Sequence, residues 1–431
     1  MANAYESMTT EELDAAIAQL EADVERLRAK GLSLDMARGK PSPEQVDLSR
    51  PMLDALASTS DLTDGGVDAA NYGCPDGLPS ARALMADILG VDVGNVVLGG
   101  SSSLNIMSDV VLHGWVKGVR GCEPQVLQAQ RGPLKFLCPS PGYDRHFAVS
   151  ANAGFENVPV AMGPDGPDMD EVRRLVEGDP AVKGIWCVPK YSNPTGITYS
   201  DETVRRMAAL KSAAPDFRIF WDNAYVVHDL TDTPDELLEV FGAVAEAGND
   251  DLVYEFASTS KVTFPGSGIA AVAASAADAD DLRAWFGVER VCCDKITQLA
   301  HARWLPNAAA VRAHMAEQAR VLQPRFELVE RKLTEGLGEL GCATWSHPKG
   351  GYFVSFDGPE GSAKAIVSLA AELGVKMTGA GATWPYGCDP RDTNIRIAPS
   401  YPTLDDLSAA LDVFVACVRL VSARLARAKR A

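Results

Sequence analysis

The run Leu252-Val253-Tyr254-Glu255-Phe256-Ala257, followed at once by Ser258-Thr259-Ser260-Lys261, decides the fold. It is short, apolar and rich in strand-forming residues, and it ends in a polar loop. Similar runs recur along the chain with helical patterns between most of them, which is typical of an α/β fold with a mostly parallel sheet. The predicted strands of this sheet cover 96–98, 136–138, 184–188, 218–221, 252–257 and 269–274.

Helical patterns extend beyond this sheet at both ends of the chain. Thr9-Thr10-Glu11-Glu12 is typical of a helix start, and apolar residues spaced by three and four continue that helix to near Gly31. This helix either packs on its own domain, which we favour, or contacts another subunit. The C-terminal third has a long helical stretch, two strands and final helices, predicted over 295–337, 350–356, 394–398 and 404–429.

The composition is that of a soluble globular protein with more than one domain. A chain of 431 residues is too long for one simple core. We expect a large domain over 48–310 and a smaller α/β domain formed by 1–47, which includes the N-terminal helix, and by 311–431. The formal net charge of −18 argues against nonspecific nucleic-acid binding, which needs basic surfaces.

Cysteine usage and hydropathy bear on localisation. The nine cysteines include no CxxC pair, which favours a reducing compartment. The N-terminus lacks the pattern of a signal peptide, and no apolar stretch reaches the roughly 18–20 residues of a spanning helix. We therefore predict a cytoplasmic protein without a membrane partner. The six histidines are scattered and form no HExxH motif, so we predict no metal site.

Chemically active polar residues follow three of the predicted strands. Asn193-Pro194-Thr195-Gly196 comes after the strand over 184–188, and Asp222-Asn223-Ala224-Tyr225 comes after the strand over 218–221. Lys261 closes the loop after the third of these strands. Open parallel sheets bind ligands at the carboxyl ends of their strands, so one ligand site is expected at this edge.

A fourth loop, Gly100-Ser101-Ser102-Ser103, lies between a predicted strand and a predicted helix. The first N–H groups of a helix are unpaired and carry positive dipole charge, which suits a phosphate. An ordinary serine cap is the alternative.

The residue types in these loops match a site for pyridoxal phosphate (PLP). The amine of Lys261 can form a Schiff base and move a proton, and the carboxylate of Asp222 can pair with a protonated ring nitrogen. Asn193 and Tyr225 can hydrogen-bond to the ring oxygen, and Tyr143 can stack on the ring. Taken singly, these residues also suit a surface lysine, a turn, a helix cap or a core aromatic. Their ordered combination favours the cofactor.

Arg396 lies within the apolar strand predicted over 394–398. A charged residue there needs a partner or a ligand, and a guanidinium fork suits a carboxylate held by two hydrogen bonds. A structural ion pair is the alternative.

These motifs together resemble the class I, fold-type I PLP-dependent aminotransferases over most of the chain, from about Arg38 to Ser400. Tyr72-Gly73, Pro141-Gly142-Tyr143 and Ser258-x-Ser260-Lys261 contribute to the likeness. Arg38-Gly39-Lys40-Pro41 and the run from Pro189 to Pro194 are similar to the atypical bacterial subgroup of aspartate aminotransferases.

The resemblance implies a mostly parallel seven-stranded sheet in the large, PLP-binding domain and a homodimer with active sites at the subunit interface. It implies that Lys261 carries the cofactor, with Asp222 on the ring nitrogen and Tyr225 as a further catalytic residue. It also implies that Tyr72 reaches the cofactor from the other subunit, and that Arg396, helped by Asn193 and backbone near Gly39, binds the substrate. The implied cofactor-binding serines are Ser101, Ser102, Ser103, Ser258 and Ser260.

Two departures from this family stand out. Relatives carry an arginine for the phosphate about one turn after the lysine, whereas Val262-Thr263-Phe264-Pro265-Gly266-Ser267-Gly268-Ile269 contains none. The cation for the distal carboxylate of a dicarboxylic substrate is also open, because Arg38, Lys40, Arg290 and Lys295 are all candidates.

The resemblance implies an aspartate aminotransferase that moves the amino group of L-aspartate to 2-oxoglutarate, giving oxaloacetate and L-glutamate. An aromatic or broad-specificity aminotransferase or a β-lyase is the nearest alternative. A PLP-binding regulator is less favoured, because only about 40 residues precede Arg38 and the chain is acidic.

Overall fold

A central eight-stranded sheet dominates the computed structural model, which describes residues 3–430. The predicted α/β architecture is confirmed. Seven strands form the expected sheet, and a two-residue strand, Gly166–Pro167, extends one edge. Neighbouring strands are parallel except where Ala270–Ala273 and the short edge strand pair antiparallel. In spatial order the strands are Val96–Leu98, Ala270–Ala273, Val253–Ser258, Arg218–Asp222, Val182–Cys187, Lys135–Ser140, Glu156–Gly163 and Gly166–Pro167.

The central strands are buried along their length because helices cover both faces of the sheet, as is usual for parallel sheets. Phe256 pairs with Asp222 across two neighbouring strands, so the loops that carry Asp222 and Lys261 leave the sheet side by side. The α-helices are Ala4–Ser7, Thr10–Arg28, Pro43–Leu48, Pro79–Leu89, Ser103–Val116, Gln125–Gln128, Asp144–Ala153, Met169–Gly178, Asp201–Ala208, Val240–Glu246, Ala276–Glu289, Lys295–Trp304, Ala308–Leu337, Ala363–Glu372 and Leu404–Ala428.

The N-terminal helix Thr10–Arg28 begins where the sequence predicts. Thr9 and Glu12 cap it reciprocally, each side chain bonding to the other residue's backbone N–H. Its apolar stripe packs in the same hydrophobic cluster as the C-terminal helix Leu404–Ala428, and Arg424 pairs with Glu21 across the two helices at 2.7 Å. This helix therefore packs on its own chain.

The second sheet is small and antiparallel, with strands Thr344–Trp345, Val354–Asp357 and Asn394–Ile397. Two-residue strands also pair elsewhere, Leu34–Asp35 with Val375–Lys376 in parallel and Thr63–Asp64 with Val67–Asp68 antiparallel. The hydrophobic cluster beneath the second sheet draws residues from both ends of the chain, whereas three other clusters lie between Ala69 and Met315. The domain division at 48 and 310 stays a prediction.

Two predicted elements differ from the structure. The helical stretch over 295–337 is two helices, because Pro306 interrupts it and the Asn307 side chain caps the second helix. The strand predicted over 350–356 begins only at Val354. Gly350 and Gly351 instead pack against Tyr191, so closely that a Cβ on Gly350 would lie 2.1 Å from the tyrosine ring. Among the described residues, no helix is long and apolar enough to cross a membrane.

Candidate active site

A cavity of about 570 Å³ opens at the carboxyl ends of the parallel strands, between the large sheet and the small sheet. The structure brings most of the predicted site residues to its wall. The lining residues among them are Gly39, Ser102, Ser103, Tyr143, Asn193, Asp222, Tyr225, Ser258, Ser260, Lys261 and Arg396. Two others lie elsewhere. Ser101 contributes its carbonyl oxygen to the adjoining loop, and Tyr72 is 82% exposed on the surface.

Lys261 lies on the floor of the cavity. Its Nζ is 5.0 Å from the centre of the Tyr225 ring. The surrounding protein removes water from the amine, and this desolvation lowers its pKa, although the charge of Asp222 opposes the shift. A lowered pKa increases the fraction of unprotonated amine, which is the form that attacks a carbonyl carbon or accepts a proton.

Asp222 is held from one side only. Its Oδ2 lies 2.9 Å from Nε2 of His146, and His146 in turn stacks on Trp186 with ring centres 4.5 Å apart. Its Oδ1 is buried and has no hydrogen-bond partner among residues 3–430. A buried carboxylate oxygen is costly to leave unpaired, so we expect a ligand to supply the missing donor. A protonated ring nitrogen would be such a donor.

The two tyrosines of the cavity remain protonated donors. Burial is the main cause that raises the pKa of Tyr143 to about 12, and burial also raises the pKa of Tyr225 well above its usual value. Asn193 is buried beside them, and its Oδ1 accepts a hydrogen bond from Arg396 at 3.2 Å. The pairing of an amide and a phenol at one wall suits a ligand oxygen.

The serine loop forms the start of the helix Ser103–Val116. Ser102 lies at the N-cap position, yet its hydroxyl bonds to the Asn105 side chain at 2.9 Å and caps no backbone N–H. The ordinary capping role therefore does not apply, and the helix N-terminus keeps donors for an anion. Ser258 donates to Ser260 and Ser260 donates to the Ser101 carbonyl, which ties the two serine loops together.

The segment 262–269, which lacks the arginine expected for the phosphate, packs closely against the two serine loops at Gly268. A Cβ on Gly268 would lie 2.6 Å from the Ser101 carbonyl oxygen and 3.0 Å from the Ser260 nitrogen. A side chain at this position would therefore push the two serine loops apart.

Arg396 lies across the cavity from this floor and is almost fully buried. Its Nη1 donates to Asp144 Oδ1 at 3.1 Å as well as to Asn193, and its Nη2 donates to Thr378 Oγ1 at 3.3 Å. The guanidinium carbon is 4.9 Å from the centre of the Phe353 ring. No local pattern predicts a contact of Arg396 with Asp144, Thr378 or Phe353, because these residues come from three separate segments of the chain. His146 was not predicted as a site residue either, although it lies only three residues after Tyr143.

Four cations line the mouth of the cavity, and two of them, Arg38 and Lys40, were candidates for the distal carboxylate. Arg145 and Lys376 are the other two and were not foreseen. The remaining candidates lie away from this wall, since Arg290 donates to Leu98 O and Lys295 donates to Asp68 O and Tyr72 O.

The chain is similar to known aminotransferases in both sequence and fold. The sequence profile of the family described as aspartate amino-transferase matches residues 8–430. An aspartate aminotransferase of Corynebacterium glutamicum is 42% identical over 428 residues, with 97% of each chain covered. A crystal structure of an aspartate transaminase from that organism superposes with a TM-score of 0.94 at 40% identity, covering 99% of this chain and all of the other.

A more distant structure shares the fold. It is the α-aminoadipate aminotransferase of Thermus thermophilus in complex with N-(5'-phosphopyridoxyl)-L-leucine. It is 19% identical, with a TM-score of 0.73 and coverage of 94% of this chain and 97% of the other.

Proposed function

The chain belongs to the aspartate aminotransferase family, and from this membership we propose that it transfers the amino group of L-aspartate to 2-oxoglutarate, giving oxaloacetate and L-glutamate. One observation carries the proposal. A single cavity is lined by the amine of Lys261, the carboxylate of Asp222 with one unpaired oxygen, and the buried guanidinium of Arg396. The amine can transfer a proton, the carboxylate can pair with a protonated ring nitrogen, and the guanidinium can bind a substrate carboxylate through two hydrogen bonds.

We propose PLP as the cofactor, and the unpaired Asp222 Oδ1 supports the fit. Asp222 would pair with its ring nitrogen, Asn193 and Tyr225 would bind its ring oxygen, and Tyr143 would lie against the ring. Ser102, Ser103, Ser258 and Ser260, with the helix N-terminus, would hold its phosphate. When bound, PLP supplies an electron sink that weakens the Cα–H bond of an amino acid.

The protein's own residues would perform the remaining steps. Lys261 Nζ would take the proton from Cα of the bound amino acid and return it, since its lowered pKa favours the free amine. Arg396, with backbone near Gly39, would hold the α-carboxylate and so orient the Cα–H bond. Arg38 and Lys40 at the mouth would attract the distal carboxylate of aspartate and of 2-oxoglutarate.

We also propose a cytoplasmic homodimer in which Tyr72 of one subunit reaches the cofactor of the other. Large apolar side chains are exposed on the isolated chain, including Leu53 at 64%, Tyr72 at 82% and Val288 at 89%. A dimer interface would cover exposed side chains of this kind. All nine cysteines are free thiols, which supports a reducing compartment.

Single-turnover half-reactions test the substrate. The PLP-loaded enzyme is mixed with L-aspartate, L-phenylalanine or L-kynurenine, and the change in cofactor absorbance is followed. We expect the highest kcat/KM with aspartate and release of oxaloacetate. Equal or better reaction with phenylalanine or kynurenine would reject aspartate as the substrate and favour an aromatic or broad-specificity aminotransferase or a β-lyase.

A further inference from the structure

Three of the five hydrogen-bond donors of Arg396 have acceptors before any ligand binds. A guanidinium has five N–H donors, two on each Nη and one on Nε. Both hydrogens of Nη1 have acceptors, Asp144 Oδ1 at 3.1 Å and Asn193 Oδ1 at 3.2 Å. Nη2 uses one of its two on Thr378. Nε is sealed from solvent and has no acceptor in the part of the chain that the structure describes.

This count restricts how a carboxylate can bind. The sealed Nε closes the side edge of the guanidinium to a ligand, which leaves the end formed by Nη1 and Nη2. A carboxylate that binds this end needs one hydrogen from each nitrogen. Nη2 has one to give, but Nη1 has none unless Asp144 or Asn193 withdraws.

Asp144 is the partner that is free to withdraw. Asn193 is buried, and its loop is fixed by backbone hydrogen bonds from Ser192 to Ile197 and from Gly196 to Ser192. The Asp144 side chain is 35% exposed, lines the cavity and begins the helix Asp144–Ala153. Arg396 is the only described residue to which its carboxylate bonds.

We propose that Asp144 is a positioning residue for the reaction, a displaceable counter-ion of Arg396. It keeps the buried guanidinium neutralised and oriented while the cavity is empty, since an unpaired buried charge is costly. The α-carboxylate of the substrate then takes over Nη1, and Asp144 turns toward solvent at the cavity mouth. Only a ligand with its own carboxylate can make this exchange, so Asp144 adds selectivity for carboxylates. The inference rests on the proposed role of Arg396.

The variant Asp144→Asn tests the exchange. Asparagine keeps an acceptor of the same size for Nη1 but removes the competing charge. Isothermal titration of the PLP-loaded enzyme with succinate should give a Kd about threefold to tenfold lower than the wild type, because a hydrogen bond to a charged group is roughly twice as strong as a neutral one. KM for aspartate should fall in parallel while kcat stays close to the wild-type value. An unchanged or higher Kd for succinate would overturn the proposal, since an acid that only orients Arg396 would weaken binding when it is removed.

Matched variants separate the exchange from a general effect of charge or folding. Asp201 is also the first residue of a helix and pairs with Arg205, but it lies outside the cavity. Asp201→Asn should leave the Kd for succinate unchanged. Asp144→Glu keeps the charge and should return the Kd toward the wild-type value, which also covers the case that Asp144→Asn does not fold.

Two further measurements distinguish the possible failures. If Arg396→Lys leaves the Kd for succinate unchanged, the proposed role of Arg396 fails. If Arg396→Lys weakens binding but Asp144→Asn does not strengthen it, only the counter-ion proposal fails. A crystal structure with succinate should show Asp144 beyond hydrogen-bond distance of Nη1, and a retained contact beside the bound carboxylate would contradict the exchange.

Discussion

The floor and the mouth of the cavity are built in opposite ways. At the floor, Asp222 is buried and is held by His146, which stacks on Trp186. At the mouth, Arg38, Arg145 and Lys376 are exposed, and their side chains have no acceptor within residues 3–430. The floor is preorganised for one fixed ligand, whereas the mouth presents positive charge with which a bound substrate can pair. We therefore assign the chemical step to the floor of the cavity and the selection of the substrate to its mouth.

The largest effect is expected at the floor, from Asp222→Asn. The amide keeps the size of the carboxylate but cannot neutralise a protonated ring nitrogen. Loss of one partner of a buried ion pair costs about 3–5 kcal/mol, so kcat/KM for aspartate should fall roughly 10²- to 5 × 10³-fold. Stopped-flow half-reactions on the cofactor-loaded variant would measure it.

The control for that change is Asp216→Asn. Asp216 is buried like Asp222 and pairs with Lys183 at 2.7 Å, but it does not line the cavity. It should lower thermal stability while leaving kcat/KM of the folded enzyme unchanged. If both variants lost activity in proportion to stability, the floor would have no special role.

A smaller effect is expected at the mouth, from Arg38→Ala. An exposed charge pair contributes about 0.2–1 kcal/mol, so kcat/KM for aspartate should fall roughly twofold to fivefold. The loss should shrink as salt is added, because exposed charges are screened. The half-reaction with phenylalanine, which has no distal carboxylate, should not change.

The exposed Arg312 lies on the helix Ala308–Leu337, outside the cavity, and provides the matched control. Arg312→Ala should leave both half-reactions unchanged. An equal loss with aspartate and phenylalanine in Arg38→Ala would mean that the mouth does not select dicarboxylates.

The contrast between floor and mouth also explains what the sequence could predict. Floor residues such as Asn193, Asp222 and Lys261 follow apolar strands, and the carboxyl ends of parallel strands meet at one edge whatever the connecting helices do. Local sequence patterns were therefore enough to predict that these residues lie close together. The same logic placed the serine loop at a helix N-terminus.

The contacts around Arg396 were beyond such patterns. Asp144 lies 252 residues from Arg396 in the sequence, and their meeting depends on how the small sheet packs over the large one. The strand predicted from Gly350 was wrong for a similar reason, because Tyr191, from a distant loop, occupies the space beside both glycines, with its ring against Gly350 and its Cβ and carbonyl oxygen against Gly351. Contacts between segments that are distant in the sequence produce no local sequence pattern from which they could be predicted.

The most direct test of the account is to locate the cofactor on the chain. Borohydride reduction of the PLP-loaded enzyme, followed by digestion and mass spectrometry, marks the lysine that bonds to the cofactor. We predict one phosphopyridoxyl group per chain, on Lys261. Labelling of another lysine, such as Lys190, which pairs with Asp229 at 2.8 Å, or the absence of any label would contradict the central claim.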